Sequence, residues 1–280
     1  MKTRSFFLPK AGLLLLLLLT GLRSMAAPAT RIVSLNGTIS EILCQLGLQS
    51  HVVGVDVTST YPAALTKLPK VGHNRNISAE GVLALSPTIV VGTTESLKPE
   101  VASQLKSAGV TVQLFAQEYS VAGTKKLIQQ VAAAFQASAK VPVLIKQLDA
   151  DLAKAHKPAK TPKVLFIYAR GTGTMMVAGQ GTPLEKVIGL AGGQNAATGF
   201  TDFKPLTAEA LVAANPDVLL LFDSGLESLG GKAGLLKVPG IAQTTAGRTG
   251  RVVEMDGQLL SGFGPRLGLA TSELARQLSQ

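Results

Sequence analysis

The sequence predicts an α/β protein made of two lobes bridged by a single long α-helix, with a ligand cleft between the lobes. Three observations predict this fold. Short β-branched runs alternate with amphipathic stretches after residue 30, which is the pattern of parallel sheets covered by helices. One helix–strand segment occurs twice along the chain, and one amphipathic helix pattern lies between the two copies.

The first lobe is predicted from short apolar runs that end at turn residues. The near-continuous apolar run Ile89-Val90-Val91 indicates a strand that is buried on both faces of its sheet. A helix over 78–85 is predicted to end at Ser86-Pro87. The predicted strands are 31–35, 52–55, 88–91 and 110–115, and the predicted helices are 38–46, 78–85 and 99–108.

The second lobe repeats part of the first. The segment NISAEGVLALSPTIVV (76–91) aligns without gaps with PLTAEALVAANPDVLL (205–220). Each copy combines a helix cap, Ser78 or Thr207, with a proline-marked stop and a buried strand. Chance similarity of two common units is the alternative, and two related lobes are the preferred interpretation. This lobe is predicted to have strands over 163–168, 217–222 and 251–255, and helices over 183–190 and 207–214.

A single amphipathic helix is predicted over 141–152, between the lobes. Its apolar residues follow one helical stripe, and Pro142 suits a first helical turn. A stiff helix between two lobes leaves a cleft with limited hinge freedom. The predicted segments are a signal peptide over 1–27, an N-terminal lobe over 28–139, the bridging helix and its exit over 140–160, and a C-terminal lobe over 161–280.

The N-terminus has the order of a secretory signal peptide. A basic start is followed by seven leucines (Leu13–Leu19) and by small residues that end at Ala27. The apolar run is shorter than the roughly 20 residues of a spanning helix, so an uncleaved anchor is the weaker alternative. We expect an exported protein that is cleaved near Ala27.

Composition excludes several functional classes. The net charge is +10, but Lys and Arg form no concentrated run, which argues against nucleic-acid binding. Cys44 is the only cysteine, so neither an intramolecular disulfide nor a cysteine-based metal site can form. The chain carries neither a GxSxG nor a GxxxxGK[ST] motif. The glycine-rich segment 171–182 is interpreted as turns between short strands. An α/β enzyme with a Ser–His–carboxylate site stays a minor alternative.

Six segments carry a family resemblance. They are RIVSLNGTISEILCQLG, GVDVTSTYP, VGHNRNISAEGVLALSP, VAGQGTPLEKVIGLAGGQN, FKPLTAEALVAANPDVLLL and RVVEMDGQLLSGFGPR. In this order the chain resembles the periplasmic haem-binding proteins of ABC haem importers, within the helix-bridged (class III) superfamily. The resemblance implies a monomer in the periplasm that catalyses no reaction, binds haem b as cargo and delivers it to a permease dimer in the inner membrane. A ferric siderophore or a corrinoid is the alternative ligand.

The block Val71-Gly72-His73-Asn74-Arg75 departs from the family pattern. The resemblance implies a tyrosine as the haem ligand where this chain has His73. Neutral imidazole also ligates haem iron, so we interpret His73 as the axial ligand. Arg75, on the same loop, would pair with a haem propionate, or, as the resemblance implies, donate a hydrogen bond to the axial ligand of the iron. Without the resemblance, a solvated loop histidine is the simpler interpretation of His73.

The opposite wall of the pocket is predicted from the second lobe. Tyr168 and Arg170 follow a strand end, where parallel sheets meet a cleft, and Phe203-Lys204 precede the repeated helix. An aromatic face and a cation suit a porphyrin with two carboxylates. Tyr61 is a further candidate for stacking. Core packing of Tyr168 and Tyr61, and plain surface positions for the cations, are the alternatives.

Glu80 and Glu209 occupy equivalent positions of the repeat. Either they favour the positive end of a short helix, or they dock with arginines on two related permease halves. The resemblance implies the docking role, with one glutamate in each lobe.

Overall fold

The computed structural model describes residues 2–3, 30–73 and 76–280. The predicted signal peptide therefore lies outside the described residues, apart from residues 2–3. Among the described residues, no helix has both the length and the apolar character that crossing a membrane requires. The strands are Ile32–Ser34 (β1), Val52–Val55 (β2), Ile89–Thr93 (β3), Thr111–Phe115 (β4), Lys163–Ala169 (β5), Met175–Ala178 (β6), Gln194–Asn195 (β7), Phe203–Pro205 (β8), Val218–Phe222 (β9) and Val252–Met255 (β10). The α-helices are Gly37–Gln45 (α1), Ala79–Leu83 (α2), Pro99–Ser107 (α3), Val121–Ala134 (α4), Val141–Leu152 (α5), Pro183–Leu190 (α6), Ala208–Ala214 (α7), Asp223–Ser228 (α8), Gly231–Leu235 (α9), Thr245–Thr249 (α10), Gly257–Ser261 (α11) and Leu267–Leu278 (α12).

The first sheet is parallel, with strand order β2-β1-β3-β4. All four of its strands were predicted, and their ends differ from the prediction by at most two residues. The valines at the centre of β3 are fully buried, as expected for a strand covered on both faces.

The second sheet is mixed, and this corrects the expectation of purely parallel sheets. Its main order is β10-β9-β5-β6-β8, and β7 also pairs with β5. The strands β10, β9 and β5 run parallel, whereas β6 is antiparallel to both β5 and β8. The reason is the connection from β5 to β6, a tight turn in which the Arg170 amide donates to the Thr174 carbonyl at 2.9 Å. A turn this short cannot make the crossover that parallel strands need.

Alternate strand residues face two different cores. In β5, Val164 and Phe166 face a core that also includes residues of the first lobe and of α4, α5 and α12. Their neighbours Leu165 and Ile167 face a second core that belongs to the C-terminal lobe alone. One continuous apolar core therefore connects the two lobes.

The predicted bridging helix is α5, which spans the apolar stripe from Val141 to Leu152 within the predicted segment 140–160. The last helix, α12, packs on it at Gly268, where an added Cβ would clash with the Leu148 carbonyl oxygen. Only glycine permits this close approach. The helix between the lobes therefore packs closely against α12.

The repeat forms the same local structure twice. The Ser78 hydroxyl accepts from the Gly81 amide at 3.1 Å at the start of α2, and the Thr207 hydroxyl accepts from the Ala210 amide at 3.2 Å at the start of α7. Both predicted N-caps are confirmed.

Candidate ligand-binding cleft

A cavity of about 810 Å³ lies between the two lobes. Its volume falls within the ~300–1,000 Å³ that is usual for small-molecule sites. Most of its lining follows the carboxyl ends of β1, β2 and β4 in the first sheet and of β5, β9 and β10 in the second. Ligands of open α/β sheets bind at these strand ends.

The N-lobe wall is lined by small polar side chains: Asn36, Thr38, Thr58 and Thr60. The Asn36 carboxamide oxygen accepts from the Thr38 amide at 2.9 Å and so caps α1. The hydroxyl and amide of Thr58 both donate to the buried Asp56 carboxylate, at 2.5 and 3.1 Å. Hydrogen bonds to the buried Asp56 carboxylate therefore hold Thr58 of this wall in place.

A chain of buried hydroxyls continues this support. The Ser59 hydroxyl donates to Asp56 at 2.6 Å and lies 2.7 Å from Ser40, which lies 2.8 Å from Ser34. All four residues are almost fully buried. Paired buried polar groups of this kind fix a local geometry, because each unpaired group would be costly.

The C-lobe wall carries aromatic and charged side chains. Tyr168, at the end of β5, lies edge-on to Phe222, with ring centroids 6.4 Å apart. The Arg170 guanidinium lies 5.8 Å from the centre of the Tyr168 ring. Asp223 and Asp256 also line this wall. The wall therefore offers a phenol beside a cation.

The sequence reasoning missed several lining residues. Gln117 and Tyr119 follow β4, Phe222 ends β9, and Asp256 follows β10. Their position just after predicted strands was the available signal. Burial, reinforced by the Glu95 carboxylate, raises the pKa of the Tyr119 phenol above its usual value.

His73 ends a segment, residues 70–73, that pairs with the chain at the end of β2. The Val57 amide donates to the Gly72 carbonyl at 3.0 Å, which ties this segment to the chain that leads into Thr58. His73 is half-buried, and it is not among the described residues that line the cavity. Arg75 lies outside the described residues. The ligand roles predicted for both residues stay predictions.

The other predicted pocket residues lie at three different places. Tyr168 and Arg170 both line the cavity. Phe203 and Lys204 lie on β8, away from the described cavity lining, and the Lys204 ammonium is 4.8 Å from the Phe200 ring centre. Tyr61 packs under a guanidinium of the other lobe, that of Arg266, at 3.6 Å.

Glu80 and Glu209 are exposed and stand at equivalent positions in the first turns of α2 and α7. This arrangement is compatible with helix stabilisation and with docking alike.

Two α/β lobes, a helix between them and a cleft at the strand ends of both sheets define a substrate-binding protein of the helix-bridged kind. The chain belongs to the periplasmic binding protein family, whose sequence profile matches residues 32–259.

Solved structures share this fold at substantial identity. The periplasmic haem-binding protein RhuT from Roseiflexus sp. RS-1, in apo form, is 43% identical, with a TM-score of 0.85 over 90% of this chain and 98% of that one. The periplasmic haem-binding protein BhuT, in complex with two haems, is 41% identical, with a TM-score of 0.83 over 89% and 97% of the two chains.

Curated sequences give a broader set of relatives. An uncharacterised ABC transporter substrate-binding lipoprotein, YvrC of Bacillus subtilis, is 32% identical over 89% of this chain and 79% of its own. The vitamin B12-binding protein of Vibrio vulnificus is 24% identical over 94% and 95% of the two chains.

Proposed function

We propose that this protein captures haem in the periplasm and delivers it to an ABC importer in the inner membrane. The observation that carries the proposal is the C-lobe wall, where Tyr168 lies beside Arg170 in a cavity of about 810 Å³. Sequence identity of 41–43% to solved haem-binding proteins supports haem as the ligand. The protein acts as an exported monomer that is cleaved near Ala27, and it binds haem b without catalysing a reaction.

Haem iron is ligated by one side chain from each lobe. His73 supplies a neutral imidazole from the N-lobe, and Tyr168 supplies a phenolate from the C-lobe. Arg170 compensates the negative charge of an iron-bound phenolate, because its guanidinium lies beside the ring. Arg75, two residues after His73 in the sequence, pairs with a haem propionate.

Absorbance titration of the purified mature protein with haemin tests this function. A sharp Soret band that saturates with added haemin supports it. No spectral change up to excess haemin, with wild-type protein that is folded by circular dichroism, would refute it.

A corrinoid is the second candidate ligand, because a vitamin B12-binding protein matches nearly the whole chain at 24% identity. Cyanocobalamin and haemin are compared in the same titration. Saturable binding of cyanocobalamin together with no haemin binding would replace the first proposal with this one.

Delivery depends on Glu80 and Glu209 as a docking pair. Two exposed carboxylates, one in each lobe, match a permease built from two related halves. The double change Glu80→Ala plus Glu209→Ala is expected to leave haemin binding unchanged and to reduce transport and salt-sensitive association with the permease.

The control for docking is Glu100→Ala plus Glu254→Ala, which removes two other exposed carboxylates, one of them from the first turn of α3. Normal transport by the Glu80/Glu209 double variant, or unfolding of that variant, would leave helix stabilisation as the role of these residues.

A further inference from the structure

The Gln258 side chain connects the two lobes beside the cleft. Its carboxamide oxygen accepts from the Thr60 amide, the Thr60 hydroxyl and the Tyr61 amide at 2.8, 2.9 and 2.9 Å. Its amide nitrogen donates to the Gly37 carbonyl at 2.9 Å. Gln258 belongs to α11 in the C-terminal lobe, and all these partners belong to the N-terminal lobe.

The carbonyl at the end of α11 makes a second connection. The Gly262 carbonyl accepts from the Thr38 hydroxyl at 2.5 Å and from the Gln117 carboxamide at 2.7 Å. An added Cβ at Gly37 would lie 2.6 Å from the Thr58 carbonyl oxygen and 3.1 Å from Gln258. The Thr58 carbonyl belongs to the same lobe as Gly37, and the Gln258 side chain belongs to the other lobe, so the glycine leaves room for the Gln258 side chain to reach the N-terminal lobe.

A buried ion pair makes the third connection. The Arg266 guanidinium donates two hydrogen bonds of 2.9 Å to the two carboxylate oxygens of Glu41. The side chains are 16% and 4% exposed. Tyr61 covers the guanidinium at 3.6 Å. A bidentate pair of this kind fixes orientation as well as distance.

We propose that Glu41, Gln258, Arg266 and the Gly262 carbonyl form an interlobe clamp that sets the width of the cleft before the ligand arrives. Six residues that make the clamp or its contacts, namely Gly37, Thr38, Thr60, Gln117, Gln258 and Gly262, also line the cavity. Any change in the angle between the lobes would break these bonds and move both walls together. Gln258 is thus a positioning residue for the ligand. The link to ligand binding rests on the proposed function, whereas the clamp itself does not.

Ligand affinity should follow the fraction of molecules that hold the competent width, because the apparent Kd equals the intrinsic value divided by that fraction. Gln258→Ala removes the hydrogen bonds of the side chain. If the competent fraction falls to about one tenth, haemin binding weakens by about tenfold. The spectrum of bound haem should stay unchanged, because the proposed iron ligands are untouched.

The experiment measures the interlobe distance in the ligand-free mature chain. Spin labels are attached at Lys106→Cys and Lys232→Cys, one in each lobe, in a Cys44→Ser background. The distribution of distances between the two labels is recorded by pulsed electron paramagnetic resonance. Gln258→Ala should broaden the distribution, and Gln104→Ala, an exposed glutamine on α3, should not. Gln258→Glu is the second variant, since it keeps the acceptor but loses the bond to Gly37 and places a carboxylate beside Glu41. It should also broaden the distribution.

A distribution that stays narrow in both Gln258 variants would overturn the clamp, as would rapid amide exchange at Thr60 and Tyr61 in the unaltered protein. Broadening without any change in haemin affinity would overturn the positioning role. A wild-type protein that does not bind haemin but broadens on Gln258→Ala would refute the proposed function and leave the clamp in place.

Discussion

Each wall of the cleft carries one tyrosine, and the two differ in their electrostatic surroundings. Tyr119, on the N-lobe wall, packs edge-on against Phe263 at 5.5 Å, and burial and the Glu95 carboxylate raise the pKa of its phenol. Tyr168, on the C-lobe wall, has the Arg170 guanidinium beside its ring. A phenol must lose its proton to ligate ferric iron as an anion. The surroundings of Tyr119 oppose this ionisation, whereas in the proposed haem complex the Arg170 guanidinium lies beside the Tyr168 ring and can pair with an iron-bound phenolate.

The comparison extends to the rest of each wall. Hydroxyls that are tied to the buried Asp56 shape the N-lobe wall, and an aromatic pair with a cation and two carboxylates forms the C-lobe wall. The hydrogen bonds to Asp56 therefore fix the geometry of the N-lobe wall. The iron ligand proposed for this lobe, His73, comes from a neighbouring loop. In the C-lobe wall, the proposed ligand Tyr168 and its neighbour Arg170 stand directly at the end of a strand.

The largest expected effect separates the two tyrosines. Tyr168→Phe should weaken haemin binding by more than about 100-fold, because an iron ligand matters more than a supporting group, whose loss costs about 10–100-fold. Tyr119→Phe is the matched change on the other wall and should weaken binding by less than tenfold. Haemin titration followed at the Soret band measures both. Equal losses in the two variants would end the distinction between the tyrosines.

Arg170 should come next in size. Arg170→Ala removes the cation beside Tyr168, and we expect haemin affinity to fall by about 10–100-fold, the range for groups that support a metal ligand. Lys237→Ala removes an exposed cation elsewhere in the same lobe and serves as the control. Identical haemin affinities for these two variants would contradict the role of Arg170.

The smallest effect concerns stability on the N-lobe side. Burial raises the pKa of the Glu41 carboxyl, and the hydrogen bonds and charge of Arg266 offset only part of this rise. Because the pKa is higher in the folded chain than in the unfolded chain, the folded state binds more protons between the two values. The contribution of Glu41 to the free energy of unfolding should therefore grow as the pH falls through its raised pKa towards the unfolded value, and be lost as the pH rises.

Urea unfolding at several pH values measures this effect in the wild-type protein and in Glu41→Gln, whose amide does not titrate. Wild-type stability should rise relative to that of the variant as the pH falls towards the usual glutamate range. A stability difference that does not change with pH, or that changes in the opposite sense, would contradict the direction of the pKa shift.

Much of the fold could be predicted from sequence, because it depends on local patterns. Apolar runs predicted β1 to β4, and the apolar stripe from Val141 to Leu152 predicted the helix that is observed as α5. The α-helices between Asp223 and Ser261 were missed because helices of five or six residues show too little periodicity to recognise. The antiparallel β6 was missed because its direction depends on a turn whose geometry composition does not reveal.

The site was predicted less completely than the fold. Tyr168 and Arg170 could be found because they follow a clear strand end. Gln258 could not, since its partners Gly37 and Thr60 lie about 200 residues away in sequence and meet it only when the lobes pack. The pocket role of Phe203 was predicted by analogy between the lobes and stays a prediction; the structure places Phe203 on β8, at the edge of the mixed sheet, and it is not among the described residues that line the cavity.

The most direct test of the central claim, that haem lies between the lobes with one iron ligand from each side, is the absorption spectrum of the haemin complex in two variants. The wild-type complex should show a Soret band and a phenolate charge-transfer band. Tyr168→Phe should lose the charge-transfer band, and His73→Ala should keep that band while its Soret band shifts. Spectra of both variants that match the wild-type spectrum would contradict the account.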